Sequence, residues 1–104
     1  MLYEVKEILE KRKLIDDEGD HENYFEKENC WNLLTDILGK DEDKTIEVIN
    51  QLDKTEIYYL SEVFDDISEK LQSVRFIDCI EKLATKYPDV DLERDILDAK
   101  EKLD

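Results

Sequence analysis

Between Thr55 and Tyr87 apolar residues recur at steps of three and four, first as Ile57, Leu60, Phe64, Ile67 and Leu71, then as Phe76, Ile77, Ile80, Leu83, Ala84 and Tyr87. That spacing places each set on one stripe of an α-helix. The break between the two runs contains no glycine, and Ser73 stands where a helix N-cap is expected. The pattern therefore predicts one helix ending near Leu71 and a second folding back on it to about Tyr87, an antiparallel hairpin. Pro88 then forces the chain out of helical geometry.

The flanking sequence repeats the theme. A first helix is predicted over about residues 2–13, with Leu2, Val5, Ile8 and Leu9 on a narrow face and Lys11, Arg12 and Lys13 at its end. Leu14 and Ile15 lead into Asp16, Asp17, Glu18, Gly19 and Asp20, which read as a solvated acidic loop; no register there supplies the glycine and glutamate of a calcium loop. A second helix should begin between Asn23 and Glu28 and run to Leu38, with Tyr24 and Phe25 at its start and Trp31 as a core anchor. Gly39 suits the left-handed position past its end, and Asp41 the cap of a third helix over about 42–52. Asp53 with Glu56 forms a capping box for the fourth helix, which should continue unbroken to Leu71. Asp89 or Asp91 should cap a sixth, with Leu92, Ile96, Ala99 and Leu103 in one row.

Two glycines, one proline and an almost complete lack of period-two alternation leave no material for a sheet. The expected fold class is all-α: about six helices packed as antiparallel hairpins, in a bundle or short solenoid, forming one domain over residues 1–104. Thirty acidic against fifteen basic residues give a formal charge of −15, which repels nucleic acid and anionic membrane and attracts a basic protein from a distance. No apolar run approaches a signal-peptide core or a membrane span, so a cytoplasmic location is expected. Cys30 and Cys79 lie among apolar neighbours and are expected to be buried free thiols.

Catalytic chemistry finds little support. His21, the one histidine, follows Glu18 in a single Glu-x-x-His, whereas a bundle di-metal site needs two such motifs and further helical glutamates. Neither cysteine has the electropositive setting of a nucleophile, and no phosphate-binding glycine loop or zinc-ligand cluster is present. The reading is a protein that is not an enzyme and takes no metal or cofactor. One constellation stands out instead. On the fourth helix Glu62, Asp65, Asp66 and Glu69 form a carboxylate face relieved by Lys70, with Tyr58 and Tyr59 at its N-terminal end. Like charges at helical spacing cost a few tenths of a kcal/mol per pair, and tyrosine beside charge is typical of interface hot spots. These six residues are the predicted partner-binding face, against the simpler reading that an exposed helix face is ordinarily charged.

The run Leu60-Ser61-Glu62-Val63-Phe64-Asp65-Asp66-Ile67-Ser68-Glu69-Lys70-Leu71-Gln72-Ser73, with Lys86-Tyr87-Pro88-Asp89 beyond it and Cys30-Trp31-Asn32 before it, resembles small acidic bacterial immunity proteins of contact-dependent and polymorphic toxin systems. The resemblance spans roughly residues 26–97. It implies inhibition of a cognate basic toxin domain by tight binding. A nuclease is the expected toxin class, since it must present cationic surface to its polyanionic substrate. A different class of function, a helical adaptor that takes a partner helix in an apolar groove, is the rival expectation; salt should weaken the first association far more than the second.

Overall fold

A computed structural model describes residues 1–19 and 24–104. The fold is all-α: helices α1 (Leu2–Asp17), α2 (Tyr24–Leu38), α3 (Glu42–Ile49), α4 (Lys54–Leu60), α5 (Phe64–Leu71), α6 (Val74–Lys86) and α7 (Glu93–Glu101), with a 3-10 turn over Ser61–Val63 between α4 and α5. Among the described residues there is no strand and no helix long and apolar enough to cross a membrane. The core is built from the predicted stripes. Val5, Leu34, Leu38, Ile49, Ile57, Leu60, Phe64, Ile67, Phe76 and Ile80 are fully buried, and Phe64 meets Phe76 edge to face at 6.1 Å between α5 and α6. Each such side chain contributes about 1.5–3 kcal/mol by leaving water.

Several local expectations hold. Asp41 accepts the Lys44 amide, Asp53 and Glu56 exchange both bonds of a capping box, and Ser73 accepts the Phe76 amide at 3.0 Å. Others are corrected. The first helix runs past residue 13 to Asp17, because Ile15 extends the buried stripe and Arg12 reaches one turn on to Asp16. Asp16 and Asp17 are thus helical rather than loop residues, while His21 lies outside the described residues. Gly39 does not adopt a positive φ; a Cβ there would lie 2.7 Å from both Lys70 Cβ and the Thr35 carbonyl, so close approach of α5 requires the glycine. Neither Asp89 nor Asp91 caps α7: Leu92 holds the cap position without a side-chain bond, and Asp89 pairs with Lys54.

The largest departure concerns the fourth predicted helix. It is broken at Ser61–Val63, where Val63 adopts φ −120°, ψ 14° and the Ser61 hydroxyl donates to the Tyr58 carbonyl at 2.5 Å, one turn back. Serine bonding to the local backbone weakens the helical ladder and favours the tighter 3-10 geometry. The carboxylates on either side of the break no longer share one helical phase. At the other end of α5, Gln72 occupies the left-handed position without being glycine, φ 48° and ψ 52°. Its side chain offsets the strain by donating to the Glu69 and Lys102 carbonyls and accepting the Asp104 amide at 2.9 Å.

Two pairs of helices distant in sequence run parallel. Lys6 meets Glu56 and Arg12 meets Glu62, so contacts advance in the same direction along α1 and along α4 with its following turn. Likewise the Ser68 hydroxyl donates to the Ala99 carbonyl at 2.7 Å and Gln72 reaches Lys102, aligning α5 with α7.

Candidate partner-binding surface

The break at residues 61–63 separates the six predicted face residues into two groups. Glu62 turns toward α1 and α2. Its two carboxylate oxygens accept from Arg12 Nε at 2.7 Å and Nη2 at 2.8 Å, and Oε1 also accepts the Trp31 indole N–H at 3.0 Å. Arg12 Nη1 donates to Asp16 at 2.8 Å, and the guanidinium lies over the Tyr59 ring, 5.2 Å from its centroid. Arg12 is only 4% exposed. Burial opposes its charge, yet the two carboxylates hold its pKa above the ordinary guanidinium range. Tyr59 is buried in this network, and Trp31 is half-buried with its polar edge engaged rather than a full core anchor. Glu62 and Tyr59 therefore belong to a structural cluster that ties α1, α2 and the 3-10 turn together.

Asp65, Asp66 and Glu69 remain on α5, and Tyr58 is 53% exposed with its ring edge-on to Tyr59. These residues find new neighbours on α7. Asp91, Asp95 and Asp98 follow one another at steps of four and three and so occupy one side of α7 and its approach. Because α5 lies alongside in parallel, Asp65 and Asp95 face the same strip of surface. Burial pushes the Asp95 carboxyl above its ordinary pKa; the Ser61 side chain pulls the other way, while Asp98, Asp65 and Asp91 push further up. Asp66 is raised as well, by burial and then by Asp65, with Lys102 opposing. Relief is partial: Arg94 pairs with Asp98 at 3.2 Å and Lys102 with Glu69 at 3.3 Å, both on exposed groups. The acids are spread along a ridge, and among the described residues no three potential ligands converge on a point where a metal ion could sit.

The apolar row of α7 gives no sign of Asp95 and Asp98, and Asp91 stands in the sequence only as a candidate cap; the same periodicity, applied to carboxylates, marks all three. Arg12 was read as a terminal charge, yet it continues the Val5, Ile8, Leu9 stripe at a step of three. Both cysteines are free and buried, and burial pushes both thiol pKa values up, which keeps them protonated and poorly nucleophilic.

The ridge gives stability a particular pH dependence. Asp66 and Asp95 have folded pKa values above their unfolded ones, so their protonation favours the fold, and this contribution is lost as pH rises through the folded values. Asp16, held down by Arg12, and Asp89, held down by Lys54, act oppositely: their contribution is present above the unfolded value and lost as pH falls through the folded one. Acidification from neutrality should first raise the melting temperature, then lower it once pH falls below the ordinary aspartate value of about 4, where the unfolded chain takes up protons that Asp16 and Asp89 resist in the fold. A thermal melt series across pH checks this, and Asp66→Asn with Asp95→Asn should flatten the initial rise.

In comparisons with protein-family models, curated proteins and solved structures, the chain matches none of them.

Proposed function

We propose that the chain is an immunity-type inhibitor, which binds a cognate cationic toxin domain in the cytoplasm and neutralises it by occupying its basic surface; a nuclease is the expected class of toxin. The observation that carries this reading is the α5–α7 ridge, where Asp65, Asp91 and Asp98 surround the half-buried Asp95, whose pKa is raised, and Asp66 continues the ridge along α5. Carboxylates in that condition gain most from a cation that replaces the lost hydration. The formal charge of −15 adds long-range attraction. Occupancy alone inhibits, so the reading requires no nucleophile and no metal.

The adaptor reading has one observation in its favour. Ala84, Ile96 and the half-exposed Leu97 line a shallow groove between α6 and α7, flanked by the Glu81–Lys100 ion pair. Salt separates the two. Co-expression with the toxic domain encoded beside its gene should restore growth, and the purified complex should associate far more slowly at high salt. Growth restored by a complex indifferent to salt would favour the groove; no complex with that domain would count against inhibition.

A further inference from the structure

The cleft between α4 and the approach to α7 has a chemistry that the ridge lacks. Lys54, Tyr58, Tyr59, Asp89, Val90 and Asp91 line a depression of about 280 Å³, just below the range of roughly 300–1,000 Å³ usual for small-molecule sites. It has room for one long side chain. Tyr58 supplies an exposed aromatic wall braced edge-on by Tyr59 at 5.0 Å, and Val90 is half-buried beside it. Asp91 is exposed and has no ion-pair partner among the described residues. At the mouth an ammonium is already held, that of Lys54 on Asp89, with both side chains at least half exposed. An exposed pair of that kind is worth about 0–1 kcal/mol, so an incoming cation can displace it.

We propose that this cleft receives an arginine side chain of the cationic partner, its guanidinium lying on Tyr58 and its N–H groups donating to Asp91. Arginine fits better than lysine because a planar fork can stack and bond a carboxylate at once, whereas an ammonium is a compact, strongly hydrated charge. The chain uses the same combination internally: Arg12 lies over Tyr59 while donating to Glu62 and Asp16. The pocket rests on the binding reading above and adds to it the group that is recognised.

The test is an NMR titration of the isotope-labelled chain with end-blocked Gly-Arg-Gly, compared with Gly-Lys-Gly. Amide shifts should centre on Tyr58 and Asp91, with tighter binding of the arginine peptide. Tyr58→Leu, which keeps apolar bulk but removes the ring, should weaken that binding about fivefold; Asp91→Asn should weaken it comparably, and Lys54→Ala should strengthen it by removing a neighbouring like charge and freeing Asp89. Shifts centred on Asp95 and Asp98, unaffected by Tyr58→Leu, would overturn the pocket while leaving the ridge as a cation-binding surface. Equal binding of both peptides at the cleft would remove the arginine assignment. An absence of shifts anywhere would count against both.

Discussion

An Arg12→Ala variant should melt about 10 °C below the parent chain. The side chain is 4% exposed and makes three charge-assisted hydrogen bonds, two to Glu62 and one to Asp16. Deleting it removes charge-assisted hydrogen bonds and the packing of the buried stem, about 1.5–3 kcal/mol, while Glu62 and Asp16, which are partly exposed, regain water. In a domain of this size each kcal/mol moves the midpoint by roughly 4–8 °C. Arg12→Lys should fall between the two, since it keeps the charge but cannot form the fork. Arg12→Met combined with Glu62→Leu should recover only part of the loss, because it leaves Asp16 and the Trp31 N–H without their partners. Thermal denaturation of Arg12→Met, Glu62→Leu and the double variant gives the coupling energy directly. A fall of only a degree or two in Arg12→Ala would show that water reaches the site and that the network is an ordinary surface pair.

The second large effect is on binding. Asp66→Asn with Asp95→Asn neutralises the two ridge carboxylates whose pKa values are raised, at almost constant shape. Affinity for the proposed cationic partner should fall by about 2–5 kcal/mol if these groups meet cations out of water. Stability should stay within about 1 kcal/mol, because neither aspartate makes an ion pair among the described residues. Glu7→Gln with Glu47→Gln is the control of equal charge, on two exposed glutamates that make no ion pair among the described residues. It should cost below roughly 1 kcal/mol, as rim charge does. Equal small losses would mean that charge acts only diffusely, and the ridge would lose its place as the binding surface. Asp16 cannot serve in such a control, since it is bonded to Arg12.

Much of the architecture was legible because apolar spacing reports helix phase directly: the stripes ending in Leu71 and Tyr87, the Asp53–Glu56 box and the Ser73 cap all stand where the sequence pattern puts them. What was not legible depends on partners distant in sequence. The run from Ile57 to Leu71 carries no proline or glycine to announce a break; Ser61 alone hints at it, and the turn at Ser61–Val63 is seen only once Glu62 has Arg12 to reach, 50 residues away. The carboxylate face assumed one unbroken helix, so its phase was lost at that turn. Tyr58, Asp65, Asp66 and Glu69 stay on accessible or half-accessible surface, whereas Tyr59 and Glu62 are drawn into the Arg12 cluster. Gly39 shows the same limit at one position: its spacing signalled a helix end, but the reason no side chain fits is Lys70, on a helix two turns of the chain later.

The parallel alignment of α5 and α7 has a consequence for orientation. Peptide dipoles add along a helix to about half a positive charge at the N-terminus and half a negative charge at the C-terminus, and two helices side by side in the same sense bring like poles together. The side chains are sorted to match: Asp65, Asp66, Glu93 and Asp95 sit in the first turns of the two helices, and Lys70 and Lys100 in the last. In the last turns Lys70 and Lys100 are offset by Glu69 and Glu101, so the pair presents an acidic end and a nearly neutral end along one axis, and a partner approaching it feels a torque as well as an attraction. A cationic protein with its own uneven charge would arrive already turned toward one docking direction.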